Sequence, residues 1–327
     1  MSQPDSALDV HGLGKAYGRH VALHELTLRV PRGEVFGFLG PNGAGKTTAV
    51  KLLTGLARPT AGGGQLLGRP LGDREARRKL GFLPELFRFH DWLSATELLD
   101  LHGGLLDMPL AARRQRIPEV LALVGLADRV GDRIGTFSKG MQQRLGLAQA
   151  LLNEPDLVIL DEPTSALDPI GRRDVRAIIQ HLKQRGVTVF LNSHLLSEIE
   201  LVCDRVAIVD HGRVVQQGRL DDLLGRGHEL ELRLTGLNHD VLAALPPAWN
   251  VQTCELGEQE QRLVLAVGHA SDAVEVTRFL VAQSVGLLEL RPRRTSLEDL
   301  FLQWVDGARP EEAAPATSAE RAELAAS

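Results

Sequence analysis

The nine residues Gly40-Pro41-Asn42-Gly43-Ala44-Gly45-Lys46-Thr47-Thr48 constrain the fold of this chain more than any other stretch. They match the pattern G-x-x-x-x-G-K-(S/T) at every fixed position, and that pattern has a mechanical meaning. Glycines let the backbone curl so that successive N–H groups point at phosphate oxygens. A helix that starts at the loop adds its positive N-terminal end to the same anion. The flanks supply the required neighbours: Glu34–Leu39 reads as a short buried strand and Thr48–Leu56 as a helix. In such a loop Lys46 lies between the β- and γ-phosphates, and Thr47 offers its hydroxyl to Mg²⁺.

Further apolar runs extend this beginning into an α/β layout. Leu157–Leu160, Thr188–Asn192 and Arg205–Val209 are almost continuously apolar, as strands are when helices cover both faces of a parallel sheet. Strands are expected at Leu8–Leu13 and Val21–Val30, with a turn around Tyr17-Gly18-Arg19, and connecting helices at Arg172–Gln184 and Leu195–Val202. From about Leu80 to Gly140 the pattern is helical, with three- and four-residue apolar spacing in Ala95–Leu106 and Pro118–Val124. Near Gly225-Arg226-Gly227 the character changes. The order β-α-β-β-α-β follows, at Glu229–Thr235, His239–Leu245, Val251–Glu255, Arg262–Val267, Asp272–Gln283 and Gly286–Leu290, which suggests a small ferredoxin-like unit. The expected organisation is a nucleotide-binding domain over 1–226 with a helical subdomain at about 82–140, then an α+β accessory domain over 227–305 that ends in a helix near Ser296–Val305. Residues 306–327, rich in Ala, Glu and Pro, are expected to be disordered.

Composition narrows the surroundings. A net charge of −5 over 327 residues gives no general attraction to nucleic acid or anionic lipid. Cys203 and Cys254 are the only cysteines and lack metal-ligand spacing, so a reduced, cytoplasmic setting is expected. The polar start, Met1 to Val10, is unlike a signal peptide. No run approaches the roughly 18 apolar residues that cross a bilayer. Work at a membrane therefore requires another chain to span it.

Three further clusters carry chemistry. Leu157-Val158-Ile159-Leu160 ends in the adjacent carboxylates Asp161 and Glu162. Beside a phosphate loop, Asp161 can hold the Mg²⁺ shell and Glu162 can polarise a water in line with the γ-phosphate; alone, such a pair would read as a solvated turn. The next strand ends in Asn192-Ser193-His194, where His194 can reach the γ-phosphate or simply cap a helix. In Phe137-Ser138-Lys139-Gly140-Met141, Ser138 and Gly140 at a helix entrance form a second anion-binding turn, or Ser138 serves as a plain N-cap.

In this order the motifs resemble those of the ATP-binding cassette (ABC) family over roughly residues 8–220. Tyr17 matches the aromatic residue that stacks on adenine, and Gly40–Thr48 matches Walker A. Glu85 falls where the Q-loop glutamine sits, and Phe137–Met141 matches the signature. Leu157–Glu162 matches Walker B, Ser165–Asp168 the D-loop and His194 the switch histidine. The chain departs from the commonest signature, L-S-G-G-Q, at Lys139 and Met141, and Glu85 puts a carboxylate in place of an amide. These changes, and Arg294–Phe301 near the C-terminus, look like the ABC-2-type exporter branch. The resemblance implies a P-loop NTPase fold with ATP and Mg²⁺ as cofactors. Gly40, Pro41, Asn42, Gly43, Ala44, Gly45, Lys46, Thr47 and Thr48 with Tyr17 bind the nucleotide, and Thr47, Glu85 and Asp161 hold the metal. Glu162, His194 and Lys46 carry catalysis, while Ser138, Gly140 and Asp168 act across a head-to-tail dimer.

Only one phosphate loop is present, so the second cassette must come from another polypeptide, most simply a second copy. The resemblance further implies a separate transmembrane permease subunit that holds the ATPase at the inner face of the cell membrane. Phe82, Phe87, Phe89 and Trp92 crowd around Glu85 and suit a partner helix, or they pack the helical subdomain. One rival reading is a soluble ABC ATPase acting on nucleic acid or ribosomes. It lacks the expected second cassette, coiled-coil insertion or zinc cysteines, and the accessory strands carry no stacking aromatics. A second rival, a non-hydrolytic regulatory cassette, is disfavoured by the presence of Lys46, Asp161, Glu162 and His194.

Overall fold

The first two strands, β1 (Ser6–Tyr17) and β2 (His20–Pro31), form a long antiparallel pair in the computed structural model. That structure describes residues 6–165, 167–224, 228–257, 260–269, 271–293 and 296–307. Ala166, Gly225-Arg226-Gly227, the Arg294-Thr295 start of the C-terminal motif and the tail from 308 onward lie outside the described residues. Two units are distinguished: one runs to Gly218 and takes up the chain again at Gln303, and the other is Arg219–Leu302.

In the first unit, β3 (Val35–Leu39) leads through the phosphate loop into α1 (Lys46–Leu53). There follow β4 (Ala61–Leu66), β5 (Arg69–Pro70), α2 (Arg74–Arg78) and β6 (Leu80–Leu83). Next come the helices α3 (Ala95–Leu105), α4 (Leu110–Leu123) and α5 (Lys139–Leu151). Alternation of strand and helix then resumes with β7 (Leu157–Asp161), α6 (Pro169–Gln184), β8 (Thr188–Asn192), α7 (Leu196–Val202), β9 (Arg205–Asp210) and β10 (Arg213–Arg219). One sheet has the order β2-β1-β4-β5, and the other has the order β10-β9-β3-β8-β7-β6. In the second, β9, β3, β8, β7 and β6 run parallel. Its strands β3, β7 and β8 are buried at every position, which explains why they read as unbroken apolar runs. A single cluster of buried side chains joins the two sheets around α1, with Phe36 stacked on Phe190 at 5.9 Å.

The structure differs from the sequence reading at two places. Leu80–Leu83, expected to begin a helical stretch, is the edge strand β6, parallel to β7; a four-residue run holds no readable period. Ala61–Leu66 contains three consecutive glycines and no strand signal, yet pairs with β1 as β4. There Gly64 is required by crowding, since a Cβ would fall 2.4 Å from the Asp9 carbonyl oxygen. The Pro118–Val124 run, read as helical, falls largely in α4, with Pro118 inside the helix. Proline removes one backbone hydrogen bond there, and burial of Ile117, Val120 and Leu121 holds the helix across the gap.

The second unit contains α8 (Leu220–Leu224), β11 (His228–Thr235), α9 (His239–Ala243), β12 (Asn250–Leu256), β13 (Gln261–Val267), α10 (Asp272–Ala282) and β14 (Gly286–Arg293). The last helix, α11 (Leu297–Gly307), begins in it. Its antiparallel sheet has the order β12-β13-β11-β14. Numbered within the unit, that is the 2-3-1-4 arrangement of a ferredoxin-like β-α-β-β-α-β sandwich. Trp249 and Phe279 meet edge to face at 5.7 Å inside its core.

Candidate functional site

Three neighbouring parallel strands deliver the expected residues to one edge. The phosphate loop leaves the end of β3, the acidic pair ends β7 and the histidine loop leaves β8. Because β8 lies between β3 and β7, Asn192 has Phe38 on one side and Asp161 on the other. Ligands of open α/β sheets bind at this carboxyl edge.

Crowding dictates the glycines of the loop. A Cβ on Gly40 would lie 2.1 Å from the carbonyl oxygen of Val209, on β9. Gly45 has φ 96° and is the N-cap of α1, where a Cβ would fall 2.6 Å from the Ala22 carbonyl oxygen. The loop is further pinned by Gly212, whose N–H donates to the Ala44 carbonyl at 2.9 Å and whose own carbonyl accepts from His24 N–H at 3.1 Å. Over the loop lies a cleft of about 360 Å³ lined by Asn42, Gly43, Lys46, Thr47 and Thr48. His20, His24 and His211 also line it. Sequence reading missed these three; only the folded β2 and the turn between β9 and β10 bring them to the loop. Tyr17 sits at the end of β1 opposite His20, half exposed, with Lys15 Nζ 4.9 Å from its ring centroid.

Lys46 Nζ donates to the carbonyls of Gly40 at 2.6 Å and Pro41 at 3.0 Å. Burial pushes its pKa below the usual lysine value, against the opposing pull of Glu162, Asp161 and Glu85. Those three carboxylates are therefore within electrostatic reach of one ammonium. Asp161, only 4 % exposed, has its pKa raised by burial, and the charges of Glu85 and Glu162 push the same way. Its Oδ1 accepts from Asn192 Nδ2 at 2.5 Å, which pulls the other way.

Glu162 and His194 meet directly. Glu162 Oε1 accepts from the His194 backbone N–H at 2.9 Å, and Oε2 lies 2.8 Å from His194 Nδ1. Glu162 has φ 51°, a left-handed conformation rare outside glycine and common at functional sites. Its own N–H donates to the Asn192 carbonyl at 2.8 Å, and Ser165 Oγ donates to its carbonyl at 3.1 Å. On α7, the buried Glu198 takes both its oxygens to 3.1 Å from Arg176 Nη1 on α6, fixing the helix behind His194.

The remaining expected residues lie at helix entrances. Ser138 caps α5 by accepting from Met141 N–H at 3.3 Å, and Lys139 next to it is exposed. Gly140 lies against Leu167, whose Cδ2 would be 3.3 Å from an added Cβ. Asp168 caps α6 through Gly171 N–H at 2.7 Å. Around Glu85, Leu86 is 87 % and Trp92 66 % exposed, whereas the rings of Phe87 and Phe89 meet at a tilt of 38° with centroids 4.9 Å apart. Phe87 also packs toward Gly146 on α5.

The oxygens of Thr47, Asp161 and Glu85 are hard donors and fit Mg²⁺. Among the described residues no three His, Cys, Asp or Glu side chains form a metal cage by themselves. Asn192 Oδ1 is a buried acceptor with no donor among the described residues.

The family model described as ABC transporter matches residues 23–165. An uncharacterised ABC transporter ATP-binding protein of Nostoc is 53% identical over 207 residues, covering 63% of this chain and 62% of that protein. The bacitracin transport ATP-binding protein BcrA of Bacillus licheniformis is 34% identical, covering 90% of this chain and 96% of its own. A dimeric ATP-binding cassette solved in a post-hydrolysis state with ADP and phosphate superimposes with a TM-score of 0.60. It is 27% identical and covers 65% of this chain and 99% of its own.

Proposed function

The chain belongs to the ABC transporter family as an ATP-binding, ATP-hydrolysing subunit, and from that premise we propose that it powers an exporter by ATP-dependent dimerisation beneath a separate permease. The observation that carries this reading is the convergence of Lys46, Asp161, Glu162 and His194 at one sheet edge.

Each residue then has a task. Backbone N–H groups of Gly43 to Thr48 and the Lys46 ammonium hold the β- and γ-phosphates. Tyr17 stacks on the adenine at the far end of the cleft. Thr47, Asp161 and Glu85 would hold Mg²⁺, which when bound would neutralise phosphate charge. Glu162 accepts the proton of the attacking water, and His194 fixes the Glu162 carboxylate and contacts the γ-phosphate. Ser138 and Gly140 present the N-terminal end of α5 to the nucleotide of a second copy, with Lys139 adding a charge there. Asp168 signals across that interface. Export is favoured by the S-K-G-M signature and by Glu85, and the accessory unit regulates or dimerises the cassette.

No helix among the described residues is long and apolar enough to cross a membrane, so the reading requires a spanning partner at the inner face of the membrane. Leu86 and Trp92 are the exposed apolar groups that fit it. Trp92→Ala and Leu86→Asp are expected to leave ATP binding intact and to reduce co-purification with the permease several-fold. Phe87→Ala, which removes an internal contact, is expected to act through stability as well. Normal co-purification of both exposed-site variants would refute this docking surface.

A further inference from the structure

We propose that Asn192 is a positioning residue of the cation site, holding Asp161 with its amide nitrogen and offering its amide oxygen to water on the bound divalent cation. The inference rests on the ATPase reading above and concerns a residue to which that reading gives no task.

Asn192 ends β8, in register with Phe38 on the phosphate-loop strand and with Asp161 on the acidic strand. It is 2 % exposed and closes a strand whose preceding residues, Val189, Phe190 and Leu191, are all buried and apolar. An apolar side chain would suit those surroundings, since a buried amide with an unmet acceptor is destabilising. Its nitrogen is used: Nδ2 donates to Asp161 Oδ1 at 2.5 Å. Its oxygen has no donor among the described residues, although it is wholly buried beside the carboxylate that is to meet the cation. Water carried in on a hydrated cation supplies the missing donor, the arrangement by which outer groups orient metal ligands.

The hydrogen bond from Asn192 holds the Asp161 carboxylate in one orientation, as outer groups do for metal ligands. Separately, the Asn192 backbone carbonyl accepts from Glu162 N–H at 2.8 Å and braces the left-handed turn. That second bond survives any change of side chain, so variants at this position isolate the effect on Asp161.

The test uses the full chain with Asn192→Leu. Mn²⁺ is titrated in the presence of ADP and followed by EPR, and binding of a fluorescent ADP is measured separately in EDTA. The expected result is a rise of about 10- to 100-fold in the Mn²⁺ dissociation constant, with metal-free nucleotide affinity within about two-fold of wild type because the loop is untouched. Unchanged Mn²⁺ affinity in a variant that still binds the nucleotide overturns the proposal. If leucine prevents folding, Asn192→Ala is held to the same two outcomes. Failure of the wild-type chain to bind fluorescent ADP at all would overturn the ATPase reading and this inference with it.

Discussion

Glu162→Gln is expected to lower ATP turnover by about a thousand-fold, equivalent to about 4 kcal/mol, while ATP affinity stays within a few-fold of wild type. Glutamine keeps the size of the side chain and one acceptor oxygen, so the backbone bond from His194 at 2.9 Å can persist. What is lost is the charge and the capacity to take a proton from water. The amide must also present either NH₂ or oxygen to His194 Nδ1, and imidazole adapts by changing tautomer. With hydrolysis slowed, ATP remains bound and the dimer it closes should accumulate. Size-exclusion chromatography with ATP and Mg²⁺ reads that directly, beside single-turnover phosphate release. Wild-type hydrolysis by this variant would remove Glu162 from the role of base. His194→Ala should fall between the two, since it frees the carboxylate without discharging it.

Much of this site is legible in the sequence because its chemistry is written in local patterns. The phosphate loop needs glycine where φ is positive and where another backbone passes closely, so Gly40 and Gly45 are fixed by geometry and can be read one by one. Asp161 and Glu162 are legible only in company: alone they would read as a solvated turn after a buried strand, and it is the phosphate loop upstream that gives them a task. The α/β core is legible for the same reason, since strands buried on both faces leave unbroken apolar runs. What escapes is everything decided by distant neighbours. The edge strand β6 exists because β7 offers it a free edge, and β4 because β1 does. His20, His24 and His211 form no motif in the sequence, and gather only when β2 and the β9–β10 turn meet the loop. Asn192 reads as the polar end of a strand. Its place between Phe38 and Asp161 depends on strand order, which no local pattern encodes. The aromatics near Glu85 divide for a related reason: Phe87 and Trp92 look alike in the sequence, but one packs toward α5 and the other stands in solvent.

Gly45→Ala is expected to destabilise the protein by about 2–4 kcal/mol and to weaken nucleotide binding at least about 100-fold. Two costs coincide at this residue. Its φ of 96° is strained for any side chain, and the new methyl would press to 2.6 Å on the Ala22 carbonyl of β2, which cannot move without disturbing the β1–β2 pair. Relief can come only by shifting the N-cap of α1, and that displaces Lys46 and the N–H groups that hold phosphate. Gly43→Ala separates the two costs. Gly43 has φ 84°, and its added Cβ would have nothing within 4 Å, so conformational strain acts alone. That variant is expected to lose about 1–2 kcal/mol, with a smaller loss of affinity. Urea unfolding and fluorescent ADP binding on both variants measure the difference. If the two lose equal stability, contact with β2 is not what fixes Gly45, and the loop's need for glycine there is conformational only. If Gly45→Ala is the worse by the expected margin, β2 acts as the rigid wall against which the phosphate loop is cast. The cleft histidines His20 and His24 stand on that same wall.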